Sequence, residues 1–89
     1  MNFEWDEAKR AANLEKHAID FVTAAQLFDG RPVFTRVSPR QGEVRFVSVG
    51  RIGDEFVAVI WTERNSIRRL ISARRARDEE KRTYRSIYG

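Results

Sequence analysis

The chain has 89 residues, of which 42% are hydrophobic, a formal net charge of +4 and no cysteine. This length predicts a single domain spanning residues 1–89, and the hydrophobic content excludes wholesale disorder. The absence of cysteine excludes disulfides, cysteine-based zinc sites and thiol catalysis. The excess positive charge favours a nucleic acid, an anionic membrane or an acidic protein as the partner.

The sequence contains no apolar run that is long enough to span a bilayer, and residues 1–10 lack the apolar centre of a signal peptide. We therefore expect a cytoplasmic protein that has no membrane partner. His17 is the single histidine, and the carboxylates form no tight cluster along the chain. We therefore expect no metal site and no other cofactor.

The first third of the chain predicts a short strand and two helices. Residues 2–5 alternate between polar and apolar, and Asp6 is an N-cap for a helix that runs to about His17. The apolar side of this helix would consist of three alanines and a leucine, namely Ala8, Ala11, Ala12 and Leu14. Asp20 caps the second helix, predicted over residues 21–28, whose apolar residues recur at helical spacing at Phe21, Ala24, Ala25 and Phe28.

The middle of the chain predicts strands in succession. Residues 29–32 form a turn, residues 33–35 a short strand, and residues 38–42 an exposed loop. Residues 43–49 alternate, which places Val44, Phe46 and Ser48 on one face and Glu43, Arg45, Val47 and Val49 on the other. After a hairpin connection, residues 55–62 are almost continuously apolar, which is typical of a central strand covered on both faces.

The last third of the chain predicts a returning strand and a basic helix. Asn65 tolerates the left-handed geometry of a tight turn, residues 67–72 return as a strand, and Asp78 to Glu80 begin the helix. The order of elements is β-α-α-β-β-β-β-α. It predicts an α+β domain in which an antiparallel sheet meander is joined by two N-terminal helices and one C-terminal helix.

Arginine is concentrated between residues 61 and 84, beside apolar strand positions. Its guanidinium suits bidentate contact with phosphate, although charge runs are usually solvated faces. Glu43 and Arg45 share one strand face, and Arg69 lies on a strand nearby. The commoner outcome for such residues is a surface ion pair across the sheet. Trp5 and Trp61 are expected in the core rather than in contact with bases.

A carboxylate close to phosphate-binding arginines is also the arrangement that a metal-free ribonuclease needs. A base takes the proton of the ribose 2′-hydroxyl, which attacks the adjacent phosphorus; arginines stabilise the developing charge, and an acid protonates the leaving 5′-oxygen. The base candidates are Glu43 and His17, and the acid candidates are His17 and Tyr84. The phosphate-binding candidates are Arg64, Arg69, Arg74 and Arg75. Alternatively, His17 is a helix C-terminal histidine that faces the helix dipole.

The sequence resembles the BrnT family of bacterial type II toxins. Four stretches carry the resemblance in the family's order: residues 3–9 with Asn13; residues 16–21 with Ala24 and Ala25; residues 42–45 leading to Gly50; and residues 62–64 and 69–76 with Glu80 and Tyr84. The resemblance implies a RelE-like ribonuclease fold and an endoribonuclease that blocks translation. It also implies a BrnA-like ribbon-helix-helix antitoxin in a heterotetramer, so that the toxin meets operator DNA only through this partner.

The resemblance implies substrate-binding or catalytic roles for seven of the residues within these stretches: Lys16, His17, Glu43, Arg64, Arg69, Arg74 and Tyr84. We predict catalytic roles for His17, Glu43, Arg64, Arg69, Arg74 and Tyr84. We predict RNA-binding roles for Lys16, Arg45, Arg68 and Arg75. The alternative function is that of a non-catalytic basic module that binds nucleic acid or an acidic protein partner.

The chain departs from the family pattern at three positions. Ala18 stands where a glycine usually follows the Lys-His pair, Arg68 replaces an aliphatic residue, and Arg77 replaces a threonine or serine cap. If residue 18 has a positive φ, alanine costs roughly 1 kcal/mol relative to glycine. Without its usual cap, the last helix would begin one residue later or depend on Asp78.

Overall fold

A computed structural model of the chain, which describes residues 2–40 and 42–89 except for the side chain of Arg40, contains one five-stranded sheet and three α-helices. The elements follow one another as β1 (Phe3–Glu4), α1 (Glu7–His17), α2 (Phe21–Ala24), a 3₁₀ turn (Ala25–Phe28), β2 (Val33–Arg40), β3 (Glu43–Ile52), β4 (Glu55–Arg64), β5 (Ile67–Arg75) and α3 (Asp78–Tyr88). The predicted α+β class and the predicted order of elements are confirmed.

The sheet is mixed rather than wholly antiparallel. Its strand order is β1-β5-β4-β3-β2, and β2 to β5 form the predicted antiparallel meander. However, β1 pairs in parallel with β5, with Phe3 opposite Arg68 and Glu4 opposite Arg69. The prediction of an antiparallel meander alone was therefore wrong. The segment from α1 to the 3₁₀ turn crosses one face of the sheet, so that β1 and β2 lie at opposite edges.

The second helix is shorter than predicted. Asp20 caps it by accepting a hydrogen bond from the backbone N–H of Val22, but α2 has only four residues before it tightens into the 3₁₀ turn. The tighter turn rotates Leu27 into the core, where it is fully buried, while Phe28 is only half-buried. The N-terminal helical region is therefore one long helix followed by a single α-helical turn and a 3₁₀ turn.

Strand β2 extends through most of the segment that was predicted to be a loop. Ser38 pairs with Arg45, Pro39 with Val44, and Arg40 with Glu43. Proline is tolerated here because β2 is an edge strand. The N–H groups on the outer side of such a strand form no hydrogen bonds within the sheet, so their loss costs little. Gln41, which belongs to the same predicted loop, lies outside the described residues.

Helix α1 begins at the predicted cap, where Asp6 accepts hydrogen bonds from the N–H groups of Ala8 and Lys9, but it has no apolar stripe. The expected apolar side is exposed throughout: Ala8, Ala11, Ala12 and Leu14. Instead, the only buried residue of α1 is Asn13, and the prediction for this face was wrong. Packing of α1 depends on a hydrogen-bonded amide, a feature that hydrophobic periodicity does not report.

The sheet buries apolar side chains on both faces, with β4 at its centre as predicted. The helical face packs against α1, α2 and the 3₁₀ turn, and its buried residues include Phe21, Leu27, Val59, Trp61 and Leu70. The opposite face, here called the cleft face, buries Val47, Val49, Ala58 and Ala76. Helix α3 covers only part of this second face, where Tyr84 packs edge-on against Phe56 at 5.3 Å between ring centroids.

Gly50 allows the 3₁₀ turn to approach β3 closely. A Cβ atom at this position would lie 2.8 Å from Leu27 Cδ1 and 2.9 Å from Val33 Cγ1. Both distances are well inside van der Waals contact, so a larger side chain would push the turn away from the sheet. The absence of a side chain at residue 50 therefore sets the packing of the N-terminal segment on the helical face.

Candidate functional site

The part of the cleft face that α3 leaves open forms a basic cleft of about 600 Å³. Its lining comes from the end of α1, all four long strands and the residue before α3: Lys16, His17, Arg36, Ser38, Arg45, Val47, Ile60, Ile71, Ser72, Arg74 and Arg77. Five of these side chains are lysine or arginine, and none is a carboxylate. A groove with this charge attracts a polyanion.

Strand alternation and one irregularity place these side chains on the same face. Arg36 pairs with Val47 and Ser38 with Arg45, so both strand pairs present these residues to the cleft. Between β4 and β5 the register shifts next to Ile60. As a result, both Ile71 and Ser72 contribute to the lining. Val47, Ile60 and Ile71 provide an apolar floor under the cationic groups.

Asn13 attaches the C-terminal end of α1 to β5. Its Nδ2 donates to the carbonyl oxygens of Ile19 and Ala73, both at 2.9 Å, and its Oδ1 accepts from Ala73 N–H at 3.1 Å and Ser72 Oγ at 3.2 Å. The short β1 pairs only with residues 68 and 69 of β5 and does not reach Ala73. The side-chain amide of Asn13 therefore satisfies the backbone N–H and C=O of Ala73 that a neighbouring strand would otherwise pair with. His17 lies one helical turn after this anchor.

His17 is the last residue of α1 and projects into the cleft from one end. Its side chain is half-buried, and its ring makes no hydrogen bond with the described residues. The next residue, Ala18, has φ 58° and ψ 28°, and its N–H donates to Leu14 O. Residue 18 therefore has the left-handed backbone conformation. In this conformation alanine was expected to lower stability relative to glycine.

Glu80 lies behind the cleft and contacts two of its arginines. Burial raises the pKa of this carboxyl, but hydrogen bonds from Arg74, the backbone N–H of Arg77 and Arg36 outweigh burial and lower the pKa to about 2. The carboxylate therefore stays ionised at neutral pH. Helix α3 begins at Asp78 with Arg77 as its N-cap, and Glu80 accepts from the cap's N–H at 2.8 Å.

Glu43 and Arg64 lie in a second depression, of about 650 Å³, beside the basic cleft. Glu43 Oε1 accepts a hydrogen bond from Arg64 Nη2 at 3.3 Å, and Glu43 Oε2 lies 3.8 Å from Arg45 Nε. Glu43 therefore forms an ion pair across the sheet, but its partner on the neighbouring strand is Arg64 rather than Arg69. Because Arg45 also lines the basic cleft, this ion pair connects the two depressions.

Four other predicted site residues lie outside the basic cleft. Arg69 forms an ion pair with Glu4 of β1, and Arg75 forms one with Glu55 at 3.0 Å on the exposed surface. Tyr84 is 7% exposed, on the side of α3 that faces the sheet, where it packs against Phe56. Arg68 lies on the helical face, with its guanidinium 4.2 Å from the ring centroid of Phe28 and 4.0 Å from that of Trp61. Burial lowers the pKa of Arg68, and Glu63 partly opposes this effect.

The structure therefore brings together Lys16, His17, Arg45 and Arg74 of the predicted set, with Glu43 and Arg64 next to them. It adds residues that the sequence analysis did not select, namely Arg36, Ser38, Ser72, Arg77 and Glu80. For Arg36 and Ser38 a signal was available, because Phe34, Arg36 and Ser38 alternate like the facing strand. This alternation was overlooked because the predicted strand ended at residue 35 and residues 38–42 were assigned to a loop.

The family described as Ribonuclease toxin, BrnT, of type II toxin-antitoxin system matches residues 5–80. The chain belongs to this family. The matched segment contains every residue that lines the basic cleft, from Lys16 to Arg77. Membership confirms the resemblance found in the sequence and makes the protein a ribonuclease toxin of a type II system, which implies an antitoxin partner. No curated protein matches the chain.

Within residues 2–40 and 42–89, no helix combines the length and the apolar composition needed to cross a membrane. In the same part of the chain, no three side chains among histidine, cysteine, aspartate and glutamate gather into a metal-binding group.

Proposed function

We propose that this BrnT family member is an endoribonuclease that binds RNA in the basic cleft and cleaves it by attack of a ribose 2′-hydroxyl, without a metal ion. The observation that carries the proposal is the position of His17, the only histidine, among five cationic side chains. A pure binding module needs the cations but has no use for a proton-transferring side chain in their midst.

The cationic side chains bind the RNA backbone in this proposal. Lys16, Arg45 and Arg74 contact the phosphates, together with Arg36 and Arg77. The guanidinium of Arg45 makes no hydrogen bond with the described residues, and Glu43 lies 3.8 Å from its Nε. Its Nε is buried, so the Nη groups are the donors that reach a phosphate oxygen and stabilise the extra negative charge of the transition state.

His17 is the first candidate for proton transfer, because its half-buried ring lines the cleft and is free of other hydrogen bonds among the described residues. A base removes the 2′-proton, the 2′-oxygen bonds to phosphorus, and the bond to the 5′-oxygen breaks as that oxygen receives a proton. The products are a 2′,3′-cyclic phosphate and a free 5′-hydroxyl. Glu43, held by Arg64, is the second candidate for the base.

The toxin would also have an antitoxin partner and act in the cytoplasm. A BrnA-like ribbon-helix-helix antitoxin neutralises the toxin in a heterotetramer, carries the contact with operator DNA, and is absent when the toxin arrests translation in the cytoplasm. Family membership supports the existence of an antitoxin, and the basic cleft is a surface whose occupation would block RNA.

The test is cleavage of end-labelled RNA by purified, antitoxin-free protein in excess chelator. We expect cleavage by the wild type, and a loss of roughly 100-fold or more in His17→Ala, the usual size of a general acid–base contribution. Arg45→Ala should also lose activity. Arg75→Ala is the matched control, because it removes an equal charge from an exposed residue outside the cleft.

Each alternative has a distinct result. Loss of cleavage in folded Glu43→Ala with full activity in His17→Ala would transfer the base role to Glu43. Cleavage only when ribosomes are added would make the translating complex the substrate. Tight RNA binding without cleavage in either condition would overturn the proposal in favour of a non-catalytic basic module.

A further inference from the structure

Glu80 is a buried carboxylate that has no part in the chemistry proposed above. Its side chain is 4% exposed. Oε1 accepts from Arg74 Nη1 at 2.8 Å and from the backbone N–H of Arg77 at 2.8 Å, while Oε2 accepts from Arg74 Nη2 at 3.1 Å and Arg36 Nη2 at 3.2 Å. Both oxygens are saturated, so the carboxylate is neither a free base nor a ligand for RNA.

The pairing with Glu80 leaves one defined edge of Arg74 unoccupied. Arg74 Nη1 donates to Glu80 Oε1 and to the carbonyl oxygen of Arg75, and Nη2 donates once to Glu80 Oε2. Of the five N–H donors of a guanidinium, the Nε–H and the second Nη2–H therefore make no hydrogen bond with the described residues. These two donors form the parallel pair that binds a phosphate in bidentate fashion.

Glu80 also holds a second arginine in the same place. Arg36 comes from the edge strand β2 and Arg74 from β5, which are separated by two strands in the sheet. Two guanidinium groups repel each other at short range, and the shared carboxylate offsets this repulsion. Without it, Arg36 would be free to extend into solvent, since its side chain is 44% exposed.

We propose that Glu80 is a positioning residue of the basic cleft: it fixes Arg74 by one edge, so that the other edge and Arg36 point at a phosphate of the RNA. This inference depends on the proposed function. In this role Glu80 orients the cationic side chains. It does not add to the overall attraction of RNA, because its own negative charge opposes that attraction.

The test compares Glu80→Gln with Glu79→Gln. Glu79 lies in the same first turn of α3, is exposed and makes no side-chain hydrogen bond with the described residues, so both variants lose one negative charge in the same region. Three quantities are measured: rotation of the Arg74 guanidinium by NMR, with Arg74→Ala to assign the signal; affinity for an uncleavable 2′-deoxy-substituted RNA; and the single-turnover cleavage rate.

We expect the Arg74 guanidinium to be rigid in the wild type and in Glu79→Gln, and to rotate freely in Glu80→Gln. The cleavage rate should fall roughly tenfold only in Glu80→Gln, the order of loss for a misplaced but still present charge. RNA affinity should be no weaker than in Glu79→Gln. A role limited to stabilising α3 would instead lower stability while the cleavage rate of the folded protein stayed the same.

Wild-type cleavage in Glu80→Gln, or a still rigid Arg74, would overturn the positioning role. If the wild type itself does not cleave RNA, the proposed function fails separately, and identical Arg74 mobility in the two glutamine variants then overturns the inference about Glu80. If Glu80→Gln does not fold, Glu80→Asp replaces it, because it keeps the charge but shortens the side chain by one methylene. It should show the same loss of rate and of Arg74 rigidity.

Discussion

At the scale of single residues, the backbone of Ala18 has a conformation that is unfavourable for alanine. Its φ of 58° lies in the left-handed region, where a Cβ atom crowds the neighbouring carbonyl oxygen. We predict that Ala18→Gly raises the free energy of unfolding by about 0.5–1 kcal/mol, because glycine adopts this conformation without steric cost. Urea unfolding monitored by circular dichroism measures the change.

The matched control is Ala11→Gly, in the exposed middle of the same helix. There the same substitution should lower stability by about 0.5–1 kcal/mol, since glycine is a poor helix former. Equal effects of the two substitutions would show that residue 18 carries no conformational strain.

At the scale of elements, three hydrogen bonds of Asn13 join α1 to Ser72 and Ala73 of β5, and a fourth goes to the carbonyl oxygen of Ile19. Asn13→Ala leaves Ala73 N–H and two carbonyl oxygens without partners in a buried site. We predict a loss of about 2–3 kcal/mol of stability, together with reduced cleavage, because the end of α1 that carries His17 is no longer anchored. Denaturant unfolding measures the loss of stability, and hydrogen exchange at the Ala73 amide measures the loss of the hydrogen bonds that anchor α1.

Glu15→Ala is the control for this element, because Glu15 is exposed on the same helix. It should leave both the Ala73 amide and the stability unchanged within about 0.5 kcal/mol. An Ala73 amide that stays protected in Asn13→Ala would contradict the anchoring role.

At the scale of the whole molecule, the basic cleft brings together cationic side chains from α1, β2, β3 and β5. The cleft contains five cationic residues, whereas Arg75 lies outside it in an ion pair with Glu55. If each cationic residue of the cleft meets one phosphate, log K for single-stranded RNA should fall with log salt with a slope of roughly −3.5, or −0.7 per contact. We predict that Arg45→Ala reduces this slope by roughly 0.7.

The salt titration uses uncleavable RNA and compares Arg45→Ala with Arg75→Ala. The second variant should keep the wild-type slope, although it removes the same formal charge. Equal slopes in the two variants would mean that RNA responds to net charge rather than to the cleft.

Features that depend on neighbouring residues were predictable from the sequence. Asp6 and Asp20 cap their helices as expected. Asn65, with φ 53°, forms the tight turn between β4 and β5. The two faces of β3 were also assigned correctly, with Val47 and Val49 on the face opposite Phe46. These features are determined within a few residues, by capping hydrogen bonds and by the two-residue period of a strand, so tertiary contacts reinforce them rather than override them.

The position of the site depended on contacts between distant parts of the chain. By strict alternation, Arg69 and Arg74, five residues apart, would lie on opposite faces; the register shift near Ile60 inserts one residue, so both lie on the cleft face. Likewise, Asn13 bonds a strand 60 residues away, and β1 pairs with β5. Local sequence determined the order of the elements, the basic character and the family, whereas strand register and long-range hydrogen bonds decided which cations meet His17.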